Sequence, residues 1–178
     1  MDIGLLVLRT VLAAILFTHA TQKLAGWFHG PGLARATTIF EELDQRPAWL
    51  MVRLAITCEL TGGALVLLGL AMPLGAAITM GTMLVAGLSA TVAARAFWNT
   101  AGGGEYPLVL GGCAAALAFT GPGGLALDAM IGMPWTTPTG GHPAVVGVLT
   151  ACAALIAAAP PILRTLSTRR GTDSSTST

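Results

Sequence analysis

Four residues set the chemical question in this sequence: Arg9, His19 and Lys23 in one apolar stretch, and Glu59 in the next. An ionisable side chain at membrane depth is expensive, and it usually turns toward a bundle interior or a cavity. A carboxyl in the middle of a span has to be neutral, paired or functional. At about 100° per residue, Arg9, His19 and Lys23 fall within an arc of roughly 80° and share one helix face. Glu59 shares its face with Ala55, Gly62 and Gly63. Small residues of this kind let a neighbouring helix approach closely, which turns Glu59 toward protein. Along the axis Glu59 lies between the depths of Arg9 and His19, so the three are expected to meet. An imidazole and an ammonium can donate hydrogen bonds to the carbonyl oxygens of a small ligand, and a buried carboxyl can supply a proton. Plainer readings stand beside this one: Arg9 snorkels to an interface or pairs with Asp2, Arg53 snorkels, or an Arg9–Glu59 pair only glues two helices.

Further polar groups gather toward one end of the same stretches. Gln22 and Lys23 close the first, Arg95 and Asn99 close the third, and Glu105 and Tyr106 open the fourth. The expected site is therefore a polar pocket of Arg9, His19, Gln22, Lys23, Glu59, Arg95, Asn99, Glu105 and Tyr106, starting near mid-bilayer and widening toward that end. No residue in it is assigned a catalytic step. Cys58, Cys113 and Cys152 sit in apolar segments without a CxxC pair or a suitably spaced His, so packing is their reading and no metal is expected. His29 and His142 lie in loops and carry no assignment.

The elements that must hold these residues are membrane helices. Of 178 residues, 54% are hydrophobic and only 10% are charged, against about 25% charged in a soluble domain. Such a chain cannot cover a water-facing surface. A net charge of +1 gives no footprint for nucleic acid. The first stretch is longer than a signal-peptide core and has no basic leader, so it reads as an uncleaved span. Spans are expected at 4–26, 49–70, 74–97, 106–120 and 143–163, the second and third joined by a tight hairpin. Gly121-Pro122-Gly123-Gly124 stops the fourth, and 125–133 reads as a short interfacial segment before a Pro/Thr/Gly loop over 134–143. The whole is an all-α polytopic bundle over 1–166, with a polar disordered tail over 167–178.

In the first loop, Leu33, Ala36, Ile39, Phe40 and Leu43 recur at helical spacing opposite Arg35, Thr38, Glu41 and Glu42, which predicts a short interfacial helix. With five spans, one face collects Lys23, Arg35, Arg46, Arg53, Arg95, Arg164, Arg169 and Arg170, and the other has only Arg9. That bias puts the N-terminus outside and the C-terminus in the cytoplasm of a bacterial inner (plasma) membrane. Trp27, Trp49, Trp98 and Tyr106 would form an aromatic belt at the basic face, with Trp135 at the other.

The same residues carry a family resemblance. Leu8-Arg9, Thr18-His19-Ala20-Thr21-Gln22-Lys23-Leu24 and Gly26-Trp27-Phe28-His29-Gly30-Pro31-Gly32-Leu33 resemble the first helix and loop of the DoxX family of small integral membrane proteins. Cys58-Glu59-Leu60-Thr61-Gly62-Gly63 resembles its second-helix acid and double glycine. Phe97-Trp98-Asn99 and Gly104-Glu105-Tyr106-Pro107-Leu108 resemble the end of its third helix and the start of its fourth. The resemblance implies a four-helix core, to which 143–163 is an added fifth transmembrane helix. It also implies respiratory or oxidative-stress redox chemistry, with a quinone as the candidate ligand. The chain would be an accessory subunit of a quinone-linked oxidoreductase, or a membrane scaffold for peripheral sulfurtransferase and superoxide dismutase-type enzymes. No haem, iron–sulfur or flavin motif is present, so electrons would come from a partner subunit. A homo-oligomer is left open.

Overall fold

A computed structural model describes residues 2–136 and 143–175, with side chains as far as Thr168. The chain forms α1 (Asp2–Ala25), α2 (Gly32–Glu42), α3 (Ala48–Leu68), α4 (Met72–Ala94), α5 (Glu105–Thr120), α6 (Leu127–Met130) and α7 (Pro143–Ser175). Helices α1, α3, α4 and α7 are long and apolar enough to cross a membrane. At 16 residues, α5 is about 24 Å long, a little short of the roughly 30 Å hydrocarbon core. The five long elements alternate in direction, as the hydropathy pattern requires, so this is a multi-pass membrane protein.

Packing follows the small residues. Helices α1, α3, α4 and α5 close a four-helix ring, and α7 lies outside it against α4 and α5. Gly62 and Gly63 let α3 sit tightly between its neighbours. A Cβ on Gly62 would stand 2.8 Å from Thr79 Oγ1 of α4, and one on Gly63 would stand 3.4 Å from Leu16 of α1. The central core comprises Leu12, Leu16, Val66, Met72, Met80, Met83, Leu110 and Leu117. A second cluster seats the amphipathic α2: Ala36 meets Ala20, Val52 and Ile56, with Leu33 and Phe40 packed on it.

One departure from the expected layout stands out. Helix α7 continues to Ser175, well into the stretch whose composition reads as a polar tail. Pro160 and Pro161 lie inside it, and neither can donate a backbone hydrogen bond. Residues 176–178 of that tail, and 137–142 of the loop including His142, lie outside the described residues. The 125–133 segment holds one turn of helix, pinned to the bundle through Asp128 while Leu125, Met130 and Ile131 stay exposed. Asp128 within it is fully buried.

Candidate functional site

The side chains of α1 take two separate destinations. In a helix every Cα–Cβ bond leans toward the N-terminus. Lys23 therefore reaches back from the end of α1 into the bundle, while Arg9 reaches away from the bundle centre. Because α3 is antiparallel to α1, Glu59 leans toward Lys23. Lys23 Nζ donates to both Glu59 oxygens at 2.7 Å and to the His19 carbonyl at 3.3 Å. Glu59 is 4% exposed and Lys23 21%. The expected Arg9–Glu59 pair does not form.

Arg9 instead closes the opposite end of the bundle. Its Nε donates to Val66 O at 2.8 Å and its Nη2 to Leu67 O at 2.6 Å. Its Nη1 donates to Pro122 O at 3.0 Å and Leu125 O at 2.9 Å. Val66 and Leu67 lie seven and eight residues past Glu59, about 10 Å along the axis at 1.5 Å per residue. They carry two of the four carbonyls that any helix leaves without an internal partner at its C-terminus. Pairing with Asp2 does not occur either, since that carboxylate accepts from Gly124 N–H at 2.8 Å. Asp128 performs the mirror-image task at the start of α4. Its oxygens accept from Ala71 N–H and Met72 N–H at 2.8 Å, and from the Trp135 indole at 2.8 Å. A cation at the end of α3 and an anion at the start of α4 both match the helix dipoles. Ala71, between them, holds a left-handed conformation (φ 45°) that an L residue rarely adopts.

The Lys23–Glu59 pair borders a cavity of about 520 Å³. Its walls come from α1, α3, α4, α5 and α7, with Ile39 and Phe40 of α2 and Leu43 and Gln45 at one end. Among the expected site residues His19, Lys23, Glu59 and Tyr106 line it. The His19 and Tyr106 rings stand 5.7 Å apart at 58°. Most of the wall is apolar, including Met51, Leu54, Ile78, Val85 and Leu110. The cavity is thus less polar than the sequence suggests. It exists because α3 and α7 both pack on α4 and scarcely on each other, which leaves a groove between them.

Five of the expected site residues lie elsewhere. Arg9 belongs to the clamp just described. Gln22 packs on Gly30 and donates to Phe28 O at 3.5 Å, shaping the first loop. Arg95 ends α4 in a left-handed conformation and is exposed. The Glu105 carboxylate accepts from Asn99 N–H at 3.1 Å and orders the α4–α5 loop. Two residues the sequence reading passed over matter instead. Asp128 is one, and a lone carboxyl in an apolar segment is the same signal that singled out Glu59. The other is Gln45, buried at the end of the cavity, whose amide donates to Ser89 Oγ of α4 at 3.0 Å and Thr165 Oγ1 of α7 at 2.8 Å. Its partners lie 44 and 120 residues away, so no local pattern marks it.

Among the described residues no group of three or more His, Cys, Asp or Glu is placed to hold a metal ion. Searches of curated proteins and of solved structures give no match. The DoxX family model matches residues 4–92, a stretch from α1 into α4 that contains Arg9, His19, Lys23 and Glu59 and stops short of Tyr106. By that match, the chain is a member of the DoxX family.

Proposed function

We propose that this chain is a membrane subunit that binds a quinone-like small molecule in the cavity beside Lys23 and Glu59, in the service of respiratory or oxidative-stress redox chemistry. The observation that carries the reading is a largely apolar cavity of about 520 Å³ with a few polar groups at one place in its wall. Ligand pockets have this size and this make-up. A quinone has an apolar ring and two carbonyl acceptors. The Tyr106 hydroxyl and the His19 ring are the donors available to it, since the three N–H groups of Lys23 go to Glu59 and the His19 carbonyl. Glu59, already bonded at both oxygens to Lys23, holds the ammonium in place and is the proton carrier of the set. Electrons come from a partner subunit. The basic end of the bundle, carrying α2 and the end of α7, faces the cytoplasm of a plasma membrane, which places the N-terminus outside.

Titrating the purified chain with a short-tailed benzoquinone analogue tests this. A saturable rise in melting temperature is expected, weakened in Tyr106→Phe and Glu59→Gln. No rise, or the same rise in both variants, removes the idea.

A second reading is favoured by the outer face of α2. Its apolar side is seated on α1 and α3, while Arg35 and Glu42 pair across the exposed side at 3.1 Å. That charged face suits docking of a peripheral enzyme of the sulfurtransferase or superoxide dismutase type. Cross-linking from α2 in native membranes should then capture a soluble enzyme, and capture of none would count against it.

A further inference from the structure

We infer that the hollow between Arg46, Trp49 and Arg164 binds the phosphate of an anionic phospholipid, with an acyl chain along the groove between α3 and α7. The hollow has a volume of about 350 Å³ and is lined by Glu41, Arg46, Pro47, Ala48, Trp49 and Arg164. It sits where α3 begins and the membrane-crossing part of α7 ends. Arg164 Nη1 donates to Arg46 O at 2.9 Å, which draws the α7 guanidinium to the start of α3. Arg53, about one turn along, donates to Trp49 O at 2.8 Å and stands 5.7 Å from the centre of the Trp49 ring.

Arg46 and Arg164 against Glu41 leave one net positive charge in the lining, and Arg53 adds a third guanidinium beside the Trp49 ring. The ion pairs Lys23–Glu59 and Arg35–Glu42 use none of these arginines. A guanidinium offers a planar fork that matches phosphate oxygens. Tryptophan settles at headgroup level, and Trp49 is exposed there. Basic pockets between transmembrane helices hold anionic headgroups in this way.

The groove decides between a lipid and a free phosphate. Leu54 of α3 and Ala157 of α7 line the groove and are also exposed on the outer surface of the protein. Gln45, next to Arg46, and Pro161, one turn before Arg164, line the end of the groove nearest the hollow, so the two are adjacent. A free anion would use the hollow and gain nothing from the groove, whereas a phospholipid fills both. The hollow lies outside the cavity proposed for the quinone-like ligand, whereas the groove is the open side of that cavity, so an acyl chain and that ligand would compete there while the phosphate site would not be touched.

The test uses the delipidated full-length chain in non-ionic detergent. It is titrated with phosphatidylglycerol, with phosphatidylcholine of the same chains and with inorganic phosphate, and read by melting temperature and native mass spectrometry. Phosphatidylglycerol should bind well above phosphatidylcholine. Loss of each arginine should weaken it about fivefold, so Arg46→Gln with Arg164→Gln gives roughly 25-fold. Arg35→Gln should leave it unchanged. Equal binding of the two lipids, undiminished binding in the double variant, or equal stabilisation by inorganic phosphate would each overturn the assignment. Should the double variant not fold, Arg164→Gln alone carries the test, with about a fivefold loss expected and no loss overturning it.

Discussion

The two ends of the bundle bury charge in opposite ways. At the end closed by α6, Arg9 spends four of its five N–H donors on carbonyl oxygens, and Asp128 accepts three N–H groups. Every partner there is backbone or a fixed indole, and with Arg9 1% and Asp128 0% exposed neither charge can be reached by a visitor. At the other end Lys23 and Glu59 bond each other beside open space. Carboxylate oxygens accept more than one hydrogen bond, so this pair keeps unused capacity on the cavity side. The contrast teaches that burial alone does not mark a functional charge. A charge walled in by its partners is architecture, and a charge that borders a void is a candidate for chemistry.

The contrast can be broken most sharply at Arg9. Arg9→Ala strands the Leu67, Pro122 and Leu125 carbonyls and takes one of two donors from Val66 O, and a loss of about 4 kcal/mol or more is expected. Unfolding in mixed micelles measures it, and any protein that remains folded should keep its cavity ligand. Next comes Lys23→Met, which leaves Glu59 buried without its partner and should lose about 3 kcal/mol. Adding Glu59→Leu should recover most of that loss, because an apolar pair of similar volume replaces a buried ion pair at little expense. The double variant should also lose the ligand. If it were stable and still bound ligand, the two ends would not differ as argued. Asp128→Asn keeps the shape and offers one acceptor oxygen in place of two, for an expected loss of about 1–2 kcal/mol. Arg35→Gln, in an exposed pair, should change stability by no more than about 0.5 kcal/mol.

How far these ends could be read from the sequence differs as well. Spans, hairpin and α2 follow from hydropathy and helical spacing, which are local. Glu59 facing inward follows from Gly62 and Gly63, and the structure bears that out. Its partner could not be settled by angle alone, because Arg9, His19 and Lys23 share a face. The lean of side chains toward the helix N-terminus separates them, and it selects Lys23. The clamp required knowing that Pro122 and Leu125 return to the end of α3, a tertiary fact with no local trace. Nor does any local pattern foretell the cavity, which arises from α3 and α7 both choosing α4 as a neighbour.

The long reach of the Arg9 clamp bears on how the protein is made. Arg9 enters the translocation machinery with the first helix, yet the Pro122 carbonyl that it bonds comes 113 residues later in synthesis. Until then its guanidinium is short of acceptors and has reason to linger near headgroups or water. The first helix would therefore reach its final depth only when the fourth crossing is complete, so a late step of assembly, with only α7 still to follow, acts on the first helix.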